Sequence, residues 1–255
     1  MRTFYTVLIV LAVLGVAAYL LIPDRHFTDF VFPLGNRTVF SIYDDRVDGG
    51  ATEANITVSD SALDFNCKLH TGEGPVWCGM LWSFVPDTLD TGSVYRNWIL
   101  VDSIVFDMDV QGAPDLLMRL WTYDPDVTDV TNKFSFRPLN KEIPIKQFGR
   151  QRIVVPVSEL YVPDYWYETQ KVDKALQMKH LEAAVKLELT AGWNVKRGER
   201  FSVKVYSIEG KGVSSTKLGI TVFFFLAIFT IAVGVRHEQI EMDKLRKKRA
   251  SNGNK

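Results

Sequence analysis

Two apolar segments near the ends of the sequence constrain the architecture most strongly. They cover residues 4–22 and 218–235, and neither contains a charged side chain. An α-helix needs about 20 apolar residues to cross about 30 Å of hydrocarbon, and both segments come close to that length. The sequence therefore predicts two transmembrane α-helices that flank one large, more polar domain.

The basic residues predict how these helices are oriented. Seven of the 30 basic residues follow the second segment, whereas only Arg2 precedes the first. Lys and Arg beside a span are retained in the cytoplasm, while long loops translocate largely regardless of charge. We therefore expect a two-pass protein of the inner (plasma) membrane with both termini in the cytoplasm and the main domain in the periplasm. The predicted division is an anchor at 1–23, the extracytoplasmic domain at 24–214, a second span at 215–236 and a basic tail at 237–255.

A cleaved signal peptide is the alternative interpretation of the first segment. The apolar run is longer than a typical signal core, and residues 19–23 show no small-x-small cleavage site. We favour an uncleaved anchor. Cleavage would leave one span and the domain would still lie outside.

The charge distribution excludes one class of partner and favours another. Thirty basic and 30 acidic residues cancel over the chain, but the basic tail leaves a mildly acidic outer domain. Nucleic-acid binding needs a basic face or stripe, so no nucleic-acid partner is expected. The basic tail suits anionic lipid headgroups, and the lipid bilayer is therefore a predicted partner.

The outer domain is predicted to be an all-β sandwich. Short runs rich in β-branched and aromatic residues predict strands at 38–43, 62–69, 76–84, 103–110, 116–123, 134–137, 151–155, 183–190 and 201–207. Regular alternation at 185–189 and 201–208 predicts amphipathic strands that line a single sheet–sheet interface. The one outer helix is expected at 169–179. Cys67 and Cys78 lie on successive predicted strands in an oxidising compartment, where either a disulfide or two buried free thiols would fit.

The stretch from Tyr43 to Thr52 contains Asp44, Asp45, Arg46, Gly49 and Gly50. It resembles the Asp-Asp-Arg-Val-x-Gly-Gly-x-Ser signature of the complex I intermediate-associated protein family. That family shares a galactose-binding-like jelly roll with family 11 carbohydrate-binding modules, so the resemblance implies a jelly roll over roughly residues 30–210 and a glycan ligand. From the residues alone, the stretch is either a structural turn or a ligand or cation site, because the arginine can bridge acids and the glycines can adopt positive φ.

A second resemblance covers residues 116–124, 154–156, 165–166 and 187–192, together with the flanking spans. This arrangement is similar to the periplasmic carbohydrate-binding-like sensor domains that precede diguanylate cyclase or histidine kinase modules. It implies a role in signal transduction. No such module follows the second span here, so we expect a separate membrane or cytoplasmic protein partner, reached through the short link at 211–217.

The candidate ligand-binding residues are aromatic, because sugar rings stack on flat apolar faces. The densest cluster is Tyr161, Tyr165, Trp166 and Tyr167. Anchoring of the loop and contact with the membrane interface are the alternative roles for this cluster. The scattered tryptophans are mostly expected in the core, and they are Trp77, Trp82, Trp98, Trp121 and Trp193.

A loop containing Asp124, Asp126 and Asp129 is a candidate site for a structural calcium ion. A solvated acidic loop is the alternative, and the glycine and terminal acid of an EF-hand are missing. No other cofactor is predicted.

No enzymatic activity is predicted, because the four histidines lack metal-ligand spacing and neither a Gly-x-Ser-x-Gly elbow nor a phosphate-binding loop is present. The leading hypothesis is a membrane-anchored sensor or accessory protein whose outer domain binds a ligand or partner and relays or scaffolds through its second helix. An assembly or structural subunit of a larger membrane complex is the alternative. A carbohydrate-active enzyme, which would need a facing carboxylate pair, is the third.

Overall fold

A computed structural model of the protein describes residues 2–21, 26–34, 38–59, 61–84 and 95–252. Its helices are α1 (Arg2–Leu21), α2 (Asp164–Gln170) and α3 (Ser215–Asn252). Its strands are β1 (His26–Phe32), β2 (Val39–Asp44), β3 (Glu53–Val58), β4 (Leu63–Lys68), β5 (Cys78–Ser83), β6 (Val101–Gln111), β7 (Asp115–Thr122), β8 (Arg137–Pro144), β9 (Gly149–Pro156), β10 (Ala184–Ala191) and β11 (Arg200–Val213). The chain divides into two compact units, Thr28–Gly212 and the two terminal segments with their helices.

The larger unit is a two-sheet sandwich. One sheet has the strand order β3-β4-β11-β6-β9 with β1 paired to β11, and the other has the order β2-β5-β10-β7-β8. The chain passes from one sheet to the other between β4 and β5, β6 and β7, β8 and β9, and β10 and β11. Two antiparallel sheets whose strands alternate along the chain in this way are consistent with a jelly roll. The predicted all-β sandwich is therefore confirmed by the strand order.

The core lies between the sheets and is built from alternating side chains. In β11, Phe201, Val203 and Val205 are buried while the residues between them are partly exposed, so the alternation predicted there is confirmed. In β10, almost every residue is buried. Its alternate residues Val185, Leu187 and Leu189 are buried as predicted, but the strand is not amphipathic in exposure, because the residues of its second face are also largely buried.

Three strands differ from the sequence-based expectation. β8 begins at Arg137, where the predicted run ended, and continues to Pro144. Its two prolines weaken the strand signal but are tolerated because β8 is an edge strand. β1 and β3 were not predicted. β3 is also at an edge and exposes most of its side chains, so its hydrophobic pattern is thin.

The helix predicted at 169–179 is misplaced, because α2 covers Asp164–Gln170. The left-handed conformation of Lys171, at φ 57°, ends the helix. Burial of Trp166 and Tyr167 holds its middle turn against the sandwich. The backbone beyond it is held by a tertiary contact, since the guanidinium of Arg137 donates to the carbonyl of Leu176 at 2.8 Å.

The smaller unit contains the two apolar helices. The stretch Thr216–Met242 of α3 is long and apolar enough to cross a membrane. In α1, the apolar stretch Thr6–Leu20 is shorter. Gly15 of α1 lies against the ring of Phe224 in α3. Among the described residues, one helix is thus long and apolar enough to cross a membrane, and both predicted spans stay predictions.

Candidate functional site

The second face of the five-stranded sheet forms the floor of a cleft of about 1170 Å³. Strand register places the floor side chains in rows across the sheet. Lys186 lies opposite Trp121, Glu188 lies between Leu81 and Arg119, and Thr190 lies opposite Leu117. Because successive side chains of a strand alternate between faces, these side chains lie on the face of the sheet opposite the β10 residues that fill the core.

Glu188 is at the centre of this floor, and both of its carboxylate oxygens accept hydrogen bonds. Oε1 accepts from the hydroxyl of Tyr43 and from Nη1 of Arg119 at 3.0 Å. Oε2 accepts from the indole Nε1 of Trp121 at 2.7 Å. The carboxylate is nearly buried, so these three donors replace water around its charge.

Tyr43 reaches Glu188 because β5 has a glycine where the tyrosine crosses it. Tyr43 pairs with Gly79 in the sheet, and a Cβ on Gly79 would lie 2.5 Å from the tyrosine Oη. The absence of that carbon lets the ring lie across β5 toward β10. Burial, and then the carboxylate of Glu188, raise the pKa of Tyr43 well above its ordinary value. The phenol therefore stays protonated and acts as a donor.

One end of the cleft carries a group of cations. The ammonium of Lys186 lies 4.5 Å from the centre of the Trp121 ring. Burial lowers the pKa of Lys186, and the neighbouring charges of Lys133 and Arg119 lower it further against the opposing effect of Glu188. Arg119 donates through Nη1 to Glu188, while its buried Nε has no acceptor among the described residues.

Aromatic side chains form the rim of the cleft. Trp193, Phe134 and Tyr165 are 67%, 66% and 50% exposed, and Trp77 is half-buried beside Tyr43 with ring centres 5.4 Å apart. Large apolar side chains held together around a polar floor are typical of ligand pockets.

A buried carboxylate fixes the loop that presents Trp193. Asp115 accepts from the backbone and side-chain nitrogens of Asn194 at 3.1 and 2.9 Å. A Cβ on Gly192 would lie 2.3 Å from the carboxyl carbon of Asp115, so the loop can approach the carboxylate only with glycine there. The exposed indole of Trp193 therefore stands on a fixed support.

The turn at Asp44–Gly50 supports the opposite wall. Asp44 forms an ion pair with Arg46, and the guanidinium of Arg46 lowers the pKa of that carboxyl. Asp45 is fully buried and accepts from the backbone nitrogen of Thr52 at 2.9 Å and of Trp77 at 3.2 Å. These contacts make the segment a structural turn that positions Trp77.

The glycines of this turn are required by its geometry. Gly49 has φ 83°, and a Cβ on Gly50 would lie 2.1 Å from the carboxylate of Asp45. Burial alone would raise the pKa of Asp45, but the hydrogen bonds from Thr52 and Trp77 outweigh it and the pKa is lowered. The carboxylate therefore stays ionised inside the turn.

The predicted aromatic cluster is divided between several environments. Trp166 and Tyr167 are buried, and only Trp166 of the two reaches the cleft lining. Tyr165 lies exposed on the cleft wall. Tyr161 is partly exposed outside that lining and donates to Glu142 of β8. Of the four candidates, Tyr165 has the exposure and position expected of a ligand contact.

The acidic loop is organised around an arginine. Asp124 is buried and accepts from Nε of Arg137 at 3.0 Å and also from Nη2. Asp129 accepts instead from the hydroxyl and backbone nitrogen of Thr131. Asp124, Asp126 and Asp129 do not gather into a group that could hold a cation, and no such group occurs within the described ranges.

A disulfide joins Cys67 of β4 to Cys78 of β5. It is the first of the two alternatives left open by the sequence. Because β4 and β5 belong to different sheets, the bond links the sheets next to Trp77. It thereby ties one wall of the cleft to the opposite sheet.

The Tyr43–Glu188–Arg119 network was missed by reasoning from sequence. In sequence, Lys186 and Glu188 look like the solvated face of an amphipathic strand, and Trp121 was expected in the core. The available signal was that β7 and β10 each carry charged or aromatic residues at alternate positions, between the apolar residues that fill the core. That signal does not show that the two strands are neighbours.

Proteins similar to this chain were found only among solved structures. No family model and no curated protein matches the sequence. A family 11 carbohydrate-binding module from Clostridium thermocellum, in complex with a β-1,3-1,4-mixed-linked tetrasaccharide, is similar at 14% identity and a TM-score of 0.44, over 74% of this chain and 95% of that chain. A family 30 carbohydrate-binding module is similar at 10% identity and a TM-score of 0.43, over 74% and 99%. The sequence resemblance to complex I intermediate-associated proteins and the membrane-flanked sensor arrangement stay predictions.

Proposed function

We propose that the protein is a non-catalytic, membrane-anchored binding protein whose cleft takes a saccharide. The observation that carries this proposal is the combination of a fixed polar floor at Glu188 with separate aromatic rings at Trp77, Tyr165 and Trp193. A sugar ring presents apolar C–H faces and hydroxyl edges. The aromatic rim suits the faces, and the floor donors and acceptors suit the edges.

The support of the rim strengthens the proposal. The backbone that carries Trp77 is held by Asp45, and the loop that carries Trp193 is held by Asp115. Side chains that are already fixed lose little conformational entropy on binding, which favours affinity. Both oxygens of Glu188 are engaged by donors, which suits a positioning role in binding without hydrolysis.

The binding proposal is tested with the full-length protein in mild detergent. A panel of neutral and acidic oligosaccharides is screened by calorimetry, and Trp193→Ala and Tyr165→Ala are compared with Phe148→Ala, an exposed aromatic outside the cleft lining. We expect the two rim variants to weaken binding at least about tenfold, which corresponds to about 1.4 kcal/mol, with Phe148→Ala unchanged. Absence of binding to every saccharide contradicts the proposal, and release of new reducing ends contradicts its non-catalytic part.

We further propose that α3 anchors the domain and that α1 forms a second span, with both termini cytoplasmic. In α3, the hydroxyls of Thr221 and Thr230 donate to the carbonyls of Lys217 and Leu226, so these polar groups are satisfied within the helix, as hydrocarbon requires. Reporter fusions at each terminus, active only on one side of the membrane, test the topology. An extracytoplasmic signal from either terminus contradicts it.

The chain path suits a relay to a protein partner. Only Ser214 separates the end of β11 at Val213 from the start of α3 at Ser215, and α3 continues beyond the apolar stretch to Asn252. We propose that ligand binding in the domain is communicated to the partner through this short connection. The test is crosslinking of the tail to a membrane or cytoplasmic protein with and without ligand. We expect the crosslinking yield to depend on ligand, and an equal yield in both conditions contradicts the relay.

A further inference from the structure

The cleft has an excess of positive charge at the end that contains Trp121. Lys186, Lys133 and Arg119 lie close enough there for the latter two to affect the ionisation of Lys186. Among the described residues, no carboxylate lies within ion-pair distance of the ammonium of Lys186 or Lys133, while Arg119 pairs with Glu188.

Glu188 cannot balance these three cations. It carries one negative charge, and its oxygens already accept from Tyr43, Arg119 and Trp121. The other acid in the described cleft lining is Asp48, which is exposed and belongs to the Asp44–Gly50 turn on the wall of the cleft. The ammonium of Lys186 lies over the Trp121 ring and forms no ion pair with a described carboxylate, whereas the buried Asp124 is paired directly with Arg137.

The surroundings of Lys186 strengthen the attraction for an anion. Burial lowers the pKa of its ammonium, the charge of Glu188 opposes this effect, and the charges of Lys133 and Arg119 add to it. An anion bound at the same place would offset the repulsion from Lys133 and Arg119, and its attraction to the ammonium would be stronger where water is partly excluded. Arg119 lines the cleft with a side chain that is 19% exposed, and its Nη1 donates to Glu188.

We propose that the saccharide taken by this cleft is a uronic acid glycan, with a ring carboxylate bound at Lys186, Arg119 and Lys133. This inference rests on the proposed function, which supplies the saccharide, and adds the charge that the ligand must carry. Phe134 is 66% exposed next to Lys133, so an apolar sugar face can lie beside the bound carboxylate. Lysine ammonium groups bind a carboxylate as point charges, without needing a bidentate fork.

The test uses the full-length protein in mild detergent and pairs of ligands that differ only in charge. Galacturonate, glucuronate, mannuronate and guluronate oligosaccharides are compared by calorimetry with their methyl esters. We expect at least one acid to bind at least about tenfold more tightly than its ester, and the preference to shrink at high salt because the interaction is electrostatic. Equal binding of every acid and its ester overturns the inference.

A lysine substitution locates the preference. Lys186→Met removes the charge and keeps most of the stem, and Lys204→Met is the matched control because its ammonium also lies over an aromatic ring, that of Tyr206, on the other sheet. We expect the acid-to-ester affinity ratio to fall toward one in Lys186→Met and to stay unchanged in Lys204→Met. An unchanged ratio in a folded Lys186→Met protein overturns the inference. Binding of neutral sugars with no acid preference leaves the proposed function standing, whereas binding of no saccharide removes both.

Discussion

The sandwich contains two arginine–carboxylate pairs of the same chemistry, and they differ in what surrounds the arginine. In the pair Arg137–Asp124, both side chains are almost completely buried, and the guanidinium also donates to the carbonyl of Leu176 and lies 4.6 Å from the Trp166 ring. In the pair Arg119–Glu188, the carboxylate is nearly buried but the arginine is 19% exposed and lines the cleft.

The difference shows how one interaction can serve either structure or binding. Arg137 contacts Asp124 with two nitrogens and Leu176 with the third, which holds the segment after α2 against the sandwich. Arg119 uses one nitrogen for Glu188 and stays partly exposed in the cleft lining. We call Arg137–Asp124 the closed pair, because both side chains are buried, and it holds a loop in place. Arg119–Glu188 is the open pair, because the arginine is partly exposed, and it holds a carboxylate in place while leaving positive charge for a ligand.

Asp124→Asn should have the largest effect on stability. The amide keeps the shape of the carboxylate but removes its charge, which leaves the buried guanidinium of Arg137 uncompensated. We expect a loss of about 3 to 5 kcal/mol in the free energy of unfolding. Thermal unfolding of the full-length protein in detergent measures it, and Asp124→Leu with Arg137→Met should recover part of the loss. A change below about 1 kcal/mol would show that water enters this pair.

Glu188→Gln makes the same chemical change in the open pair and should cost less. Arg119 can be solvated through the cleft, so we expect about 2 to 3 kcal/mol from the lost acceptors of Tyr43, Arg119 and Trp121. Saccharide binding should fall in parallel because the floor is no longer fixed. A stability loss as large as that of Asp124→Asn would contradict the distinction between closed and open pairs.

Gly79→Ala tests the open network without changing a charge. The new Cβ would lie 2.5 Å from the Oη of Tyr43 and 3.0 Å from the backbone oxygen of Leu189, so the phenol must leave Glu188. We expect a loss of about 1 to 2 kcal/mol in thermal unfolding, because overpacking displaces neighbouring atoms. Gly219→Ala is the control, since its Cβ would meet nothing within 4 Å. Equal behaviour of the two variants would show that Tyr43 does not depend on Gly79.

Tyr161 should give the smallest effect, one on titration. Burial, and then its hydrogen bond to Glu142, raise the pKa of Tyr161 from 10.0 to about 12. Its contribution to stability is therefore complete below pH 10.0 and is lost as the pH rises through about 12, because the unfolded chain ionises first.

The measurement is a near-ultraviolet titration of the native protein against Tyr161→Phe. The difference curve should be centred near pH 12, and Glu142→Gln should move it toward 10.0. A difference curve already centred at 10.0 in the unmodified protein would show that this phenol is not held by Glu142.

The β-sandwich and the C-terminal apolar helix could be predicted from sequence because their signals are local. The alternation of residues 201–208 reflects one buried face of β11, and the length of the apolar segment at 218–235 reflects the helix that contains it. β8 could not be located in the same way. Its prolines are compatible with a strand only because the strand lies at a sheet edge, and edge position is a property of the whole sheet.

The sequence by itself determined the strand-rich class, the apolar helices, the turn at Asp44–Gly50 and the candidate role of Tyr165. Only the tertiary structure decided that Glu188 meets Tyr43, which is 145 residues away, and Arg119, which is 69 residues away. The physical reason is that hydrophobic periodicity can be recognised within the sequence of a single strand, whereas a polar network depends on which strands are neighbours and in what register they pair. The cleft and its unbalanced cations follow from that register.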